Sequence, residues 1–233
     1  MPRPRHFISK LAIAAIGTLL AGTLAFGLVA VYFMPGLPDI SDKQTFQLKM
    51  PLRIFSADNV LIGEYSEERR IPLSIKNTPQ TLIDAVLAAE DANFYSHHGV
   101  AIKGLLRAAL SNYRARGKSQ GASTITMQVA RNFFLSPEKT YTRKIKEILL
   151  AFKIERQLSK DEILELYLNK IFLGHRAYGF GAAAKVYYGR DIKDLTLPEY
   201  AMLAALPKAP SRNNPLSRPD NAKQRRNYVL RRM

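Results

Sequence analysis

An uncharged apolar segment near the N-terminus constrains this chain more than any other feature. It runs from Leu11 to Met34, LAIAAIGTLLAGTLAFGLVAVYFM. A bilayer crossing needs about 20 apolar residues, so this segment is long enough to span a membrane with some tilt. A cleaved signal peptide is the alternative, but its apolar core has about 7–15 residues and is shorter. The sequence therefore predicts a transmembrane signal anchor at 11–34.

The charges that flank this segment predict its orientation. Arg3, Arg5 and Lys10 precede it, and no acidic residue does. Because positively charged flanks stay in the cytoplasm, residues 1–10 form a cytoplasmic tail and the chain after Met34 lies outside.

The overall charge indicates an anionic partner. Lys and Arg number 35 against 19 Asp and Glu, a formal net charge of +16. Such a balance suits nucleic acid, a membrane surface or a phosphorylated ligand. The orientation argues against nucleic acid and favours lipid head groups or a lipid-linked phosphate. The chain has no Cys, which excludes disulfides, thiolate metal sites and thiol nucleophiles.

The rest of the chain predicts a mainly α fold with one small hairpin. LRIF and VLIGEY are β-rich and flank a turn signal at Ser56–Asn59. Apolar residues then recur at helical spacing, with helix starts expected at Thr78-Pro79, Ser136-Pro137 and Asp220. Capping boxes are expected at Ser159–Glu162 and Thr196–Glu199. The predicted organisation is a linker and hairpin at 35–75, a helical domain at 76–216, and a connecting helix that begins at 217–233.

Two adjacent carboxylates are the first candidate for chemistry. Glu90 and Asp91 end an apolar helix, where the helix dipole disfavours negative charge. A carboxylate there, against apolar surface, should have a raised pKa and suits a general acid or base. The alternative is that both are solvated end residues and that His97 is an ordinary core histidine.

Hydroxyl residues at a helix start form the second candidate. Gly121 precedes Ser123 and Thr124, and exposed backbone N–H groups at such a start bind anions. Gln128 and Arg131 then recur one turn apart on one face, so a phosphate cradle is one interpretation. An ordinary Ser N-cap with a solvated Arg is the other.

The third candidate combines two cations with one acid. Arg143 and Lys144 lie four and three residues before Glu147, so the three side chains share a helix face. Together they could hold a pyrophosphate and keep Glu147 ionised. Surface ion pairs worth roughly 0.2–0.5 kcal/mol each are the alternative.

These segments, taken in order, resemble the peptidoglycan glycosyltransferase domain (glycosyltransferase family 51) of class A penicillin-binding proteins. The resemblance implies a lysozyme-like helical domain behind an N-terminal anchor and extends to about Pro215. The matching segments are Glu90–Gly99, Gly121–Gln128, Arg143–Glu147, Tyr167-Leu168-Asn169, Gly179–Ala183 with Tyr187-Tyr188-Gly189, and Lys208–Pro215.

Two positions depart from the family pattern. Met127 stands where the family often has Gln, and we expect this change to tune the pocket because Gln128 keeps its amide. Arg131 stands where Lys is common, which keeps the charge but changes its geometry. The family usually continues into a transpeptidase domain with SxxK, SxN and KTG motifs. The chain lacks that complete set, so we expect it to be a fragment of a longer protein.

The resemblance implies an enzyme that polymerises lipid II into β-1,4-linked glycan strands with inversion at the donor carbon. Glu90 would be the general base that deprotonates the acceptor 4-hydroxyl, and Glu147 would assist catalysis directly or through a divalent cation, Mg²⁺ or Mn²⁺. No organic cofactor is implied. The residues implied to bind substrate are Asp91 (which also supports Glu90), Ser123, Thr124, Gln128, Arg131, Arg143, Lys144, Lys208 and Asn214. The residues implied to shape the site are Phe94, His97, Gly99 and Asn169.

The resemblance also implies partners and a location. The location is the bacterial inner membrane, with one crossing and the catalytic domain on the periplasmic face. The partners are lipid II, the growing strand and membrane lipids, with a dimer or a cell-wall synthesis complex left open and nucleic acid not expected. We expect the apolar stretch from Val100 through Leu106 to enter the outer leaflet, with Arg107 and three further basic residues behind it: Arg114, Arg116 and Lys118. The alternative is that these apolar residues are ordinary core.

Three other functions account for part of this pattern. A lysozyme-like hydrolase or lytic transglycosylase also uses a helix-borne Glu, but it needs no Arg143–Lys144 pair. A non-catalytic membrane scaffold explains the anchor and the charge but not the ordered motifs. A nucleic-acid binder explains the net charge but contradicts the orientation.

Overall fold

The computed structural model describes residues 4–40, 43–48, 52–65, 68–114, 123–138 and 140–233. The chain forms two compact units, Met1–Asp39 and Ile40–Met233. Gly121, Arg116 and Lys118, which the sequence singled out, lie outside the described residues.

The first unit is built on one long apolar helix. Helix α1 spans Pro4–Phe33 and is followed by a 3-10 turn at Met34–Gly36, where Pro35 interrupts the α-helical hydrogen bonds. Among the described residues, one helical stretch, Ile16–Gly36, is long and apolar enough to cross a membrane, with a mean hydropathy of 2.0. The helix thus has the length and composition that the sequence predicted.

The second unit begins with the predicted hairpin. Strands β1 (Leu52–Phe55) and β2 (Leu61–Tyr65) pair antiparallel, with Leu52 opposite Tyr65. Ser56 closes the turn, because its N–H donates to the Val60 carbonyl at 2.8 Å and its hydroxyl accepts from the Val60 N–H at 3.0 Å. Asn59 takes the left-handed conformation that such a turn requires.

The remainder of the second unit is helical, which confirms the mainly α fold class. The short 3-10 turns between the helices include Ile75–Asn77, Phe94–Ser96 and Ile192–Asp194. The α-helices are α2 (Gln80–Glu90), α3 (Ile102–Arg114), α4 (Ile125–Phe134), α5 (Tyr141–Gln157), α6 (Lys160–Lys170), α7 (Phe180–Tyr188), α8 (Leu197–Ala205) and α9 (Pro219–Arg232).

The core lies where these helices pack against one another. Helix α4 packs against α5 and α6, and α2 packs against α8 and α9. Fully buried side chains from several helices meet there, and they include Leu82, Ile125, Leu150, Leu164, Phe180 and Leu203. The catalytic candidates are therefore carried on rigid elements, since α2, α4 and α5 all bury an apolar face.

The predicted capping boxes are confirmed. The Ser159 N–H donates to the Glu162 carboxylate at 2.8 Å, and its hydroxyl accepts from the Glu162 N–H at 3.3 Å. At α8, the Thr196 N–H donates to the Glu199 carboxylate at 2.7 Å.

Three predicted helix starts are wrong. Thr78 does not cap α2, because its hydroxyl donates to the Ser74 carbonyl at 2.8 Å and the helix starts after Pro79. Helix α5 begins at Tyr141, where the Thr140 hydroxyl accepts from the Arg143 N–H, and not at Ser136-Pro137. Asp220 lies inside the first turn of α9 and is not its cap.

Asn169 ties the segment before α2 to the helical core. Its side chain accepts from the Leu73 N–H and donates to the Leu73 carbonyl, both at 2.7 Å. The buried Arg70 donates to the Asn169 carbonyl at 2.7 Å. Asn169 therefore fixes the course of the chain that leads into α2, and through it the position of Glu90.

Candidate active site

Glu90 is the last residue of α2 and is half-buried. Apolar residues on the buried face of this helix, among them Leu82 and Val86, hold it in the core. Burial is the largest influence on the carboxyl and raises the pKa of Glu90 above its ordinary value. Gln128 opposes this effect, because its Nε2 donates to Glu90 Oε2 at 2.9 Å and stabilises the charged form.

Three cations also act on Glu90. Arg225 from α9, Lys208 from the segment after α8 and Arg131 from α4 each lower the pKa of the carboxyl. Burial prevails over them, so Glu90 holds a proton more readily than a solvated glutamate does. A base of this kind can accept a proton from a sugar hydroxyl and return it to solvent near neutral pH.

Asp91 is engaged within the protein. It ends α2, and its Oδ2 lies 2.9 Å from His97 Nε2 and 3.1 Å from the Ile125 N–H that it accepts from. Phe94 is buried and packs edge-to-face against His97. These contacts fold the loop after Glu90 onto the start of α4. They suit a positioning role, and direct substrate contact by Asp91 stays a prediction.

Thr124 is the N-cap of α4. Its hydroxyl donates to the Gly99 carbonyl at 2.5 Å and accepts from the Met127 N–H at 3.2 Å. Gly99 has φ +84°, and a Cβ there would lie 2.8 Å from the Ala151 carbonyl oxygen. The glycine allows this close approach, and Thr124 then uses its hydroxyl to hold the helix start, so its predicted contact with substrate remains untested.

A buried ion cluster links α5 to the start of α4. Glu147 is 1% exposed, and its two oxygens lie 3.2 Å from Arg143 Nε and 2.9 Å from Lys144 Nζ. Lys144 Nζ also donates to the Ser123 hydroxyl at 2.7 Å. The helix face predicted from the spacing is therefore formed. We call Ser123, Arg143, Lys144 and Glu147 the cation cluster, because it carries two positive charges against one negative.

A cavity of about 900 Å³ lies beside Glu90 and the start of α4, and Ser123 is the member of the cation cluster that lines it. Glu90, Asp91, His97 and Ser123 line it, and three cations lie along it: Lys103, Arg107 and Arg232. The cavity is large enough for a sugar unit, and its mixture of one carboxylate base with several cations suits an anionic carbohydrate ligand.

Two predicted binding residues lie apart from this arrangement. Lys208 is exposed, and its positive charge lowers the pKa of Glu90. Asn214 is buried, accepts from the Leu216 and Ser217 N–H groups at 2.9 and 3.2 Å, and donates to the Tyr187 hydroxyl at 3.3 Å. It holds a turn, and its predicted role toward substrate stays a prediction.

Met127, the departure from the family pattern, lies in the core. It is fully buried and packs in one cluster with Val100 and Ala151. The substitution therefore alters the packing beneath the cavity, whereas we expected it to change the pocket itself.

Sequence reasoning missed two residues near Glu90. Tyr167 belongs to a matching motif that indicates no role for it, and Arg225 lies outside all the matching motifs. Arg225 lies at helical spacing between the buried Ala222 and Val229, which predicts an inward-facing guanidinium. This apolar periodicity was the signal that could have found it.

A metal site has little support among the side chains. No group of three or more His, Asp or Glu side chains in the described ranges is placed to hold a metal ion. Glu147, the implied ligand, already has both oxygens beside cations. The divalent cation stays a prediction.

Together, the fold and the site define a mainly helical domain with a carboxylate of raised pKa at the end of one helix and a cation cluster on another. Residues 58–233 match the family model described as transglycosylase. The chain belongs to this family, which confirms the resemblance stated from the motifs.

Individual relatives agree with this assignment. The chain is 54% identical over 217 residues to penicillin-binding protein 1A of Pseudomonas aeruginosa, which covers 93% of this chain and 26% of that protein. It is 52% identical over 227 residues to penicillin-binding protein 1A of Escherichia coli, covering 97% and 27%. The chain thus spans about a quarter of the length of these relatives. A crystal structure of penicillin-binding protein 1A from Haemophilus influenzae is 35% identical, with a TM-score of 0.42 and coverage of 80% and 18%.

Proposed function

We propose that the chain is a peptidoglycan glycosyltransferase that polymerises lipid II into β-1,4-linked glycan strands. One observation carries the proposal: helix α4 and the residues just before it contact both the proposed base and the cation cluster. Gln128 holds the base Glu90, and Ser123 holds Lys144 of the cation cluster. Ser123 and Gln128 are five residues apart, so the proposed base and the cation cluster are both held at the N-terminal half of α4 and the residues just before it.

The proposed reaction uses the base and the cations together. Glu90 takes the proton from the 4-hydroxyl of the acceptor sugar, and the oxygen forms a bond to the anomeric carbon of the donor. The bond from that carbon to the lipid pyrophosphate breaks on the opposite face, so the configuration inverts and undecaprenyl pyrophosphate leaves. Arg143, Lys144 and Arg131 stabilise the departing charge, which is the term that most often dominates such catalysis.

The remaining partners follow from the membrane-bound substrate. We propose a single-pass protein of the bacterial inner membrane with residues 1–10 in the cytoplasm and the catalytic unit on the periplasmic face. The exposed positive charge then meets anionic lipids and lipid-linked phosphate. A dimer or a cell-wall synthesis complex would be compatible with this arrangement.

Helix α3 supplies a second contact with the membrane in this proposal. Ile102, Leu106 and Tyr113 are 64%, 67% and 84% exposed, and Arg107 is exposed beside them. Only part of the apolar stretch predicted to enter the membrane is exposed. Val100 belongs to the core, and Leu105 packs against the same core cluster. Outward apolar residues that alternate with basic ones are typical of a helix that lies at the lipid interface.

The decisive experiment supplies purified protein with lipid II and follows two products, glycan strands on a gel and released undecaprenyl pyrophosphate. We expect both with the native chain. Glu90→Gln should lower turnover by roughly 10²–10⁴-fold, the usual cost of losing a general base, while lipid II still binds. Near-normal turnover of this variant would contradict the assignment. Cleavage of preformed strands without polymerisation would favour a lytic enzyme.

A further inference from the structure

The hydroxyl of Tyr167 is buried but forms no hydrogen bond with any residue that the structure describes. The side chain lies on α6 and is 1% exposed, and its hydroxyl has no hydrogen-bond partner in the part of the chain that the structure describes. Buried polar groups are almost always bonded, because leaving one unpaired forfeits its interaction with water. An orphaned hydroxyl in a well-packed helix therefore needs an explanation.

Other tyrosines in the same unit behave differently. The buried Tyr200 donates to the Ile192 carbonyl at 2.7 Å, and Tyr187 donates to the Leu173 carbonyl at 2.8 Å. The fold thus satisfies these hydroxyls with backbone carbonyls. Tyr167 lacks such a carbonyl, which points to a partner that belongs to the site.

The charges around Tyr167 identify that partner. Glu90, Arg131 and Asp91 lie close enough for their charges to act on the hydroxyl. Arg131 cannot accept a hydrogen bond. Asp91 Oδ2 already faces His97 and the Ile125 N–H. Of the two carboxylates, Glu90 acts more strongly on the hydroxyl, and it is the residue assigned as base.

We propose that Tyr167 is a positioning residue for Glu90, with the phenolic O–H donating to the carboxylate once the acceptor sugar is bound. This inference rests on the proposed function. Catalytic hydrogen bonds are often long without substrate and shorten in the complex, so an unmade bond in the free enzyme is expected. Gln128 would then hold one side of the carboxylate and Tyr167 the other.

Tyr167 suits this role because it stays protonated. Burial, the largest influence, raises the pKa of Tyr167 well above its ordinary value, so the hydroxyl remains a donor at any working pH. The other groups that face Glu90 are Gln128 and Arg131 on α4, Lys208 after α8 and Arg225 on α9. Three of them are cations, which favour the charged base, whereas Tyr167 adds a neutral donor with a fixed direction.

The test is Tyr167→Phe in the full chain, assayed for lipid II polymerisation across pH. Donation to a carboxylate stabilises its charged form, so loss of the O–H raises the pKa of Glu90. We expect the acid limb of the rate profile to move to higher pH, by up to about one unit. We expect kcat to fall on the order of tenfold with KM unchanged, since the base is misplaced and binding is not.

Unfolding measurements separate this role from a structural one. Tyr167→Phe removes no described hydrogen bond, so its thermal midpoint should stay level or rise. Tyr200→Phe is the matched control, because it loses a real hydrogen bond and should unfold at a lower temperature with an unchanged pH profile.

Specific outcomes overturn the inference. A Tyr167→Phe enzyme with native kcat and an unmoved acid limb excludes the positioning role, even though lipid II polymerisation itself stands. A raised KM with an unmoved profile would place the hydroxyl against Arg131 and the donor. Failure of the native chain to polymerise lipid II in the same assay counts against the proposed function instead.

Discussion

At the scale of single residues, Glu90 illustrates a conflict between stability and function. Burial makes the negative charge costly, and Gln128 and three surrounding cations recover only part of that cost, so the pKa of the carboxyl remains raised. A residue that is ionised at a cost to the fold is typical of a catalytic position. The conflict can be measured separately from catalysis.

Glu90→Gln should stabilise the fold at neutral pH. Below the ordinary pKa of 4.5, Glu90 is protonated in both the folded and the unfolded chain and costs nothing. As the pH rises through the higher folded pKa, the buried carboxylate ionises against its surroundings and stability is lost. Glutamine avoids this loss and still accepts from Gln128. Thermal unfolding at about pH 7 should show a higher midpoint for the variant, and the two curves should converge below about pH 4.5.

Asp84→Asn is the matched control for this measurement. Asp84 lies on the same helix but is exposed, and an amide oxygen there still accepts from Gln80. We expect its unfolding midpoint to match that of the native chain at both pH values. A Glu90→Gln variant that is less stable than native at neutral pH would show that the charge supports the fold.

Residue types at helical spacing predicted which side chains share a face but not what each one contacts. The spacing of Arg143, Lys144 and Glu147 correctly predicted one cluster. By contrast, Thr124 and Asn214 were predicted to contact substrate. In the structure the Thr124 hydroxyl and the Asn214 side-chain oxygen bond to backbone groups, and the Asn214 amide nitrogen donates to the Tyr187 hydroxyl. Those partners come from residues distant in sequence or from a turn, and periodicity carries no information about either.

At the scale of elements, the junction between α4 and α5 concentrates positive charge where a leaving group would sit. Lys144→Ala should lower kcat/KM roughly 10²-fold, a typical cost of losing a charge aimed at a developing anion. The helix should still fold, because Glu147 keeps Arg143 as a partner. Affinity for moenomycin-type phosphoglycolipids, which mimic the donor in this family, should fall in parallel and can be measured by displacement.

Lys146→Ala is the control for this variant. Lys146 lies on the same helix, and its contribution to charge equals that of Lys144. We expect near-native turnover and inhibitor affinity for it. If Lys144→Ala behaves in the same way as Lys146→Ala, the cation cluster is an ordinary set of helix ion pairs.

Helix α3 makes a separate prediction about lipid. Burying one leucine side chain is worth about 1.5–3 kcal/mol, which corresponds to roughly 10–100-fold in binding. Leu106→Asp should therefore weaken binding of the catalytic unit to anionic vesicles by at least about tenfold. Its thermal stability should be near native, because the side chain is exposed. Leu216→Asp changes another exposed leucine outside α3 and should bind as the native unit does. Equal binding by both variants would exclude the interfacial role of α3.

Element types were predictable, and element boundaries were less so. The hairpin and both capping boxes follow from local chemistry, since a turn or a cap involves residues close in sequence. The start of α5 was misplaced because Ser136-Pro137 and Thr140 are both credible starts. The structure uses Thr140, whose hydroxyl accepts from Arg143, while the Arg143 guanidinium donates to the Pro137 carbonyl. These local hydrogen bonds decide between the two starts, and the residue types alone do not specify which set forms.

At the scale of the whole molecule, the proposed function gives the apolar helical unit and the basic second unit separate contributions to reaching a membrane-bound substrate. A tether raises the local concentration of enzyme at the bilayer without adding any contact to the substrate. The net charge of +16 adds an attraction that salt screens. The two contributions are therefore separable by deletion and by ionic strength.

Removal of residues 1–34 should separate the catalytic rate of the enzyme from the effect of holding the enzyme at the membrane. The catalytic unit, which begins at Ile40, keeps its own core and the complete set of described site residues, so we expect it to fold and to polymerise lipid II in detergent at a near-native rate. With lipid II in anionic vesicles, the shortened protein should work more slowly than the full chain, and added salt should slow it further, because only α3 and exposed charge now hold it at the surface. The full chain in the same vesicles should respond little to salt. If the shortened protein is inactive in detergent, residues 1–34 are needed for catalysis itself. If it does not bind vesicles at low salt, the anchor alone holds the enzyme at the membrane.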